Sequence, residues 1–138
     1  QLEWVMHELD KVAQLLYGPG EVMPGVAMSW EQARERVEAR GHSQRMPYCI
    51  VSDWVWHDLM PSLVHERFQI DGSQPVMLYA HNVMFDSAGR FDVGDWVRTS
   101  PLVSFSEGCF FQTRNTMYVL VGDGLRKQTE LSTLMSLF

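Results

Sequence analysis

Apolar and polar positions alternate most clearly between Val76 and Gly122, and the turn signals of the chain cluster in the same stretch. Val76–Phe85 is an apolar and aromatic run that ends in Asp86-Ser87-Ala88-Gly89, a turn that Asp closes by bonding the backbone and Gly by accepting positive φ. Phe91–Ser100 reads as a further strand, ended by Pro101. Leu102–Phe105 and Cys109–Thr113 flank Ser106-Glu107-Gly108 as a hairpin, and a third reversal at Arg114-Asn115 leads into Met117–Val121. The periodicity changes outside this region. Leu2, Val5, Leu9, Val12 and Leu16 recur at intervals of three and four and predict a helix that stops at Gly18-Pro19-Gly20. Ser29-Trp30-Glu31-Gln32 has the form of a capping box and opens a second helix, with Trp30, Ala33 and Val37 on one face and Gly41 as its stop. Its charges alternate in sign, as on a solvated face.

The segments between these elements read as follows. Glu21–Met28, with Pro24-Gly25, is expected to be a loop. Tyr48–Val51 is a strand that extends toward Trp56, and Pro61 can start a short helix over Ser62–Phe68. Asp71-Gly72-Ser73-Gln74-Pro75 separates elements rather than domains. Gly122-Asp123-Gly124 reads as a turn, and Thr129 as the cap of a last helix carrying Leu131, Leu134, Met135 and Phe138. The fold class expected is therefore α+β. Two N-terminal helices pack on an antiparallel meandering sheet or small barrel of about five to six strands, with a short C-terminal helix. Residues 1–138 form one domain: a helical half with one strand over 1–74, then the meander and last helix over 75–138.

Composition narrows the function classes. The net charge of −6 favours solubility and works against non-specific binding to nucleic acid or anionic lipid. No apolar run approaches the roughly 20 residues of a membrane span, and no signal peptide is evident, so the expected compartment is cytoplasmic. The two cysteines, Cys49 and Cys109, lie in apolar strands and read as buried reduced thiols. Five histidines invite a metal site, but His57 and His65 are about two helical turns apart and no H-x-x-x-H or C-x-x-C occurs. Neither a nucleophile elbow nor a phosphate loop is present. No metal, cofactor or catalytic residue is expected, and an enzyme is the disfavoured reading.

Binding residues are sought instead in Gly94-Asp95-Trp96-Val97-Arg98-Thr99-Ser100-Pro101. As a strand it puts Trp96, Arg98 and Ser100 on one face, with an Arg beside a Trp as at interaction hot spots. Asp95 or Asp92 is the candidate ion-pair partner of Arg98 if the pair is structural instead. His81 sits mid-strand beside Tyr79 and Asn82, as either a hydrogen-bonded sheet residue or a polar reader in a sheet-face pocket. Arg114 stands at a hairpin tip. Trp4, Trp54 and Trp56 are each either core or contact surface.

The strings Val76-Met77-Leu78-Tyr79-Ala80-His81, Asp86-Ser87-Ala88-Gly89-Arg90-Phe91, Gly94 to Val103 and Gly108 to Leu120, with Arg126-Lys127, resemble a family of uncharacterised small proteins. These are encoded by bacteriophages and prophages of proteobacteria, and the likeness covers about residues 75–138. The resemblance implies an accessory protein that binds a host component, most simply a host protein. A nucleic-acid-binding barrel is the second reading, with Tyr79, Trp96, Phe111 and Tyr118 as stacking platforms and Arg98, Arg114 and Lys127 on phosphates. The negative charge disfavours it. The third is a small ligand-binding or hydrolytic domain with a pocket lined by His81, Asp95 and Arg98. Self-association is compatible with all three.

Overall fold

The computed structural model describes residues 10, 11, 13, 19–41, 46–60, 72–130 and 133. Their order is β1 (Glu21–Val26), α1 (Trp30–Ala39), β2 (Tyr48–Leu59), β3 (Val76–Asp86), β4 (Val97–Arg98), β5 (Ser104–Ser106), β6 (Phe110–Gln112), β7 (Met117–Leu120) and β8 (Gly122–Thr129). Strands take 51% and helix 14%, so sheet dominates. All eight strands join in one curled, half-barrel sheet of order β1-β8-β2-β7-β6-β5, with β3 pairing β2 and β4 pairing β3.

This architecture corrects the expected α+β meander. The sheet is mixed rather than antiparallel: β2 runs parallel to β7 through Tyr48–Val51 and parallel to β8 through Val55–Leu59. The stretch read as a loop around Pro24-Gly25 is a strand, and Gly122-Asp123-Gly124 opens a strand instead of making a turn. Thr129 ends β8 and is buried. Phe91–Ser100 supplies only the two residues of β4. Among the described residues α1 is the one helix element. The helices expected over 2–17, 62–68 and 131–138 lie outside the described residues, apart from isolated positions, as does Trp4.

β2 is buried on both faces and organises two cores. Cys49 and Val51 share the concave core with Trp54 and Trp56, whereas Tyr48 and Ile50 meet α1 on the other side. The face changes from odd to even numbers at Asp53, whose φ of 53° is left-handed. A single left-handed residue in a strand has this effect, since side chains otherwise alternate strictly. Neighbouring strands break at the same level. The β2–β3 register shifts between Ile50 and Val51, and the β1–β8 register between Met23 and Val26. Gly122, at φ 73°, separates β7 from β8. A crease thus crosses the sheet from Gly25 through Gly122 to Asp53.

Trp54 fills the crease. Its indole N–H donates to the Gly122 carbonyl at 3.1 Å, and its ring lies on the Gly124 backbone, where a Cβ would stand 2.3 Å from Cδ2 and Cε3. A Cβ on Gly25 would meet the Gly122 oxygen at 2.0 Å. These two glycines are therefore required by close approach rather than by dihedral freedom. The curl carries Trp56 of β2 edge-on to Phe105 and Phe111, at 4.9 and 5.4 Å. Trp54 and Trp56 are core residues.

α1 follows the sequence closely. The Ser29 hydroxyl accepts from the Gln32 N–H, the Gln32 side chain accepts from the Ser29 N–H, and Ala33 and Val37 are fully buried. Trp30 stacks on Phe85 at 5.7 Å, and the Tyr48 hydroxyl donates to Glu38 at 2.9 Å. The helix therefore covers the convex face of the sheet at the Tyr48 end of β2. The turn at Asp86 also forms, with the buried carboxylate accepting from the Arg90 N–H at 2.6 Å and from its guanidinium at 2.8 Å. Burial pushes Asp86 upward, but the bonds from Arg90 outweigh it and hold the carboxyl below its ordinary range.

Gly124→Ala should cost about 2–3 kcal/mol through overpacking against Trp54. Gly41→Ala, where the added Cβ meets nothing, should cost about 1 kcal/mol from its positive φ alone. Urea unfolding of the two variants checks the order.

Candidate functional site

Beyond the crease the convex face is not covered by α1. Cross-strand pairing places Val22, Leu125, Val55, Tyr79 and Arg98 in one row on that face, through Val22↔Leu125, Leu125↔Val55, Val55↔Tyr79 and Tyr79↔Arg98. Beside this row Asp53 and His81 approach from β2 and β3, and Asp123 from β8. Val22, Asp53, Trp54, Val55, His81, Asp123, Gly124 and Leu125 enclose a cleft of about 360 Å³. Its floor is apolar and its rim carries two carboxylates and an imidazole. Ligand pockets begin at about this size.

Of the residues singled out in the sequence, Tyr79, His81, Trp96 and Arg98 lie together beside the cleft, and His81 lines it. Tyr79 stacks on Trp96 with centroids 5.7 Å apart and planes at 18°, and meets the His81 ring edge-on at 4.8 Å. Tyr79 is only 6% exposed, whereas Trp96 is 46% exposed and Val93, on the same loop, 77%. Arg98 lies half-buried opposite Tyr79, and burial lowers its pKa. Asp95 is spent on its own loop, where its carboxylate accepts from the Asp92 N–H at 2.8 Å. Its carbonyl accepts from the Val83 N–H, and it does not line the cleft.

Arg114 stands apart. It lies in the β6–β7 turn beyond Met117, which pairs with Tyr48. Tyr79 pairs with Val55, so the two positions are separated along β2 by about 23 Å. The nucleic-acid reading loses two of its platforms, because Phe111 and Tyr118 are core residues, 0% and 6% exposed.

Asp53, Asp123, Val22 and Leu125 were missed because their segments read as an apolar strand, a turn and a loop. The one signal available was Ser52-Asp53, a polar pair inside the apolar run of β2. Asp123 is held in place by the Gly25 N–H, which donates to its Oδ1 at 2.8 Å. Ser52 donates to Asp53 at 3.3 Å and accepts from the Asn82 amide at 3.0 Å.

A second cleft, of about 460 Å³, lies along Arg126–Glu130 with Asp10, Lys11, Pro19, Gly20 and Thr133. Arg126 is engaged there by both carboxylate oxygens of Asp58, at 2.6 and 3.0 Å. His57 pairs with Lys127 in the ladder and is fully buried, with Nδ1 2.6 Å from the Thr129 hydroxyl and no hydrogen bond at Nε2 among the described residues. Among the described residues no group of His, Cys, Asp and Glu side chains could hold a metal ion. Both cysteines are free and buried, and burial raises both thiols, Cys49 to about 12. Neither is a reactive thiolate. No described helix is long and apolar enough to cross a membrane.

The fold and site together define a mixed, creased half-barrel domain with a cleft on its convex face. The chain belongs to the family described as a domain of unknown function, DUF6957, which it matches over residues 24–136. No curated protein and no solved structure matches it.

Burial, with a smaller contribution from Lys127, pushes His57 down to about 4. In the unfolded chain the group titrates near its ordinary value of about 6.5, so below that pH the unfolded state binds a proton that the folded state does not. Stability should therefore fall as pH drops from about 6.5 to 4, by up to about 3 kcal/mol, and level off below for this group. A His57→Gln variant should lack this part of the pH dependence, as urea unfolding across the range would show.

Proposed function

We propose that the protein acts by binding a macromolecular partner, a protein, through the convex-face cleft and the aromatic shelf beside it. The observation that carries this reading is Trp96. It is an indole held flat against a buried tyrosine, yet half in solvent. A large aromatic restrained in this way gives up little conformational freedom on binding and is the residue type that anchors interfaces. Val93, exposed on the same loop, enlarges the apolar surface. The phage setting implied by the C-terminal strings makes a bacterial host protein the natural partner to seek.

A second reading has one observation in its favour. At about 360 Å³, with an apolar floor and a few polar rim groups, the cleft also suits a small ligand. Nucleic acid is the weakest of the three readings, because acidic groups rim the cleft and the basic residues invoked for phosphate are dispersed.

The test is capture from nuclease-treated bacterial lysate by tagged protein, comparing the native chain with Trp96→Ala. A protein recovered in stoichiometric amount by the native chain should fall by about tenfold with the variant, the scale of losing an aromatic anchor. Equal recovery would overturn the assignment of this surface.

A further inference from the structure

The Leu59 end of β2 holds a buried base with no place for a second proton. His57 is fully buried, its Nδ1 lies 2.6 Å from the Thr129 hydroxyl, and its Nε2 has no hydrogen-bond partner. Among the described residues its ladder neighbours are Met77 on β3, which is apolar, and Lys127 on β8, which is cationic. Asp58, the next residue on β2, is the carboxylate that acts on it, and both Asp58 oxygens are held by Arg126. A neutral imidazole can satisfy Nδ1 through Thr129. An imidazolium carries two N–H donors, of which the Thr129 hydroxyl can accept one. The other would leave a buried charge unpaired, with the like charge of Lys127 across the ladder.

The strand that ends in Thr129 is held unequally along its length. β1 pairs with β8 from Gly122 to Arg126, whereas β2 pairs with it from Leu125 to Thr129. Among the described residues, Lys127, Gln128 and Thr129 therefore have a ladder partner on one side only. The fork between Arg126 and Asp58, at 2.6 and 3.0 Å, ties β8 to β2 at the last residue that β1 also pairs. The three residues beyond it line the cleft of about 460 Å³.

We infer that protonation of His57 releases Lys127–Thr129 from β2, with Arg126 as the hinge, so that the end of the sheet opens the second cleft in acid. Moving these three residues frees the imidazolium to meet water and takes Lys127 away from it. The pairing of β2 with β3 and β7 is left intact, so the opening is local and needs less than unfolding. In the closed form the imidazole stays neutral down to about pH 4, and in the open form it titrates near its ordinary 6.5. The open population therefore rises about tenfold per pH unit below about 6.5, and by about twentyfold between pH 7 and pH 5. This device is independent of the binding reading above.

The experiment is amide hydrogen exchange of the native chain, followed by NMR at pH 7 and pH 5 in low, sub-denaturing urea and corrected for intrinsic exchange. The Met60 N–H donates to the Thr129 carbonyl at 3.0 Å and reports the opening. The Leu59 N–H donates to the Pro75 carbonyl at 2.9 Å, on the β3 side, and the Leu120 N–H to the Cys109 carbonyl at 2.8 Å in the core. Met60 should lose protection about twentyfold from pH 7 to pH 5, stay less protected than Leu120, and respond little to urea, since a local opening exposes little surface. His57→Gln should abolish the pH response at Met60. Lys127→Met, which removes the like charge, should make that response level off above pH 4.

Equal protection of Met60 at the two pH values, an equal loss at Leu59, or protection that matches Leu120 in level and urea dependence would each overturn the inference. So would a pH response that survives in His57→Gln. Where that variant does not fold, the native chain and Lys127→Met decide the matter.

Discussion

Trp54 against the Gly124 backbone is the contact on which the remainder of the structure depends. The indole can occupy the concave core only if β2 changes face at Asp53, β8 offers no side chain at Gly124, and β1 comes close enough for Gly25 to touch Gly122. An indole buries on the order of 200 Å² and its N–H needs a partner when buried. The Gly122 carbonyl, turned inward by the left-handed residue that breaks β7 from β8, is that partner. Core packing, hydrogen bonding and the bend of the sheet thus share one cause.

The crease also creates the site. On the Tyr48 side of it α1 closes the convex face through Ala33, Val37 and Trp30. On the other side Val55, Leu125 and Val22 lie beyond the reach of α1, with Val55 buried, Leu125 half-buried and Val22 exposed. The backbone irregularities that admit Trp54 on the concave side place Asp53 and Asp123 on the convex side. The left-handed Asp53 is affordable because short polar side chains tolerate that region.

Local chemistry was legible in the sequence, and long-range pairing was not. The capping box at Ser29, the Asp86 turn and the strand runs at Tyr48, Val76 and Met117 form, because each is decided within a few residues. Parallel pairing of β2 with β7 and β8 joins Val55 to Leu125 across half the chain, and no local signal marks it. Glycine misled twice for one reason. Gly25 and the Gly122–Gly124 segment carry the composition of turns, yet they serve close approach within strands. Pro24 is tolerated because β1 pairs with β8 alone. Of the candidate site, Tyr79, His81, Trp96 and Arg98 were recoverable from alternation on neighbouring strands. Asp53 and Asp123 were hidden by the same glycines and by the face change at Asp53.

The most direct measurement is the proton chemical shift of the Gly124 α-protons, assigned by NMR together with contacts across the β2–β8 ladder. One α-proton occupies the position of the absent Cβ and points into the Trp54 ring. The account predicts a strong upfield ring-current shift for that proton, with close contacts between the Val55 and Leu125 backbones of a parallel pair. A Gly124 α-proton at an ordinary shift, without contact to the Trp54 indole, would contradict the crease and the cleft derived from it.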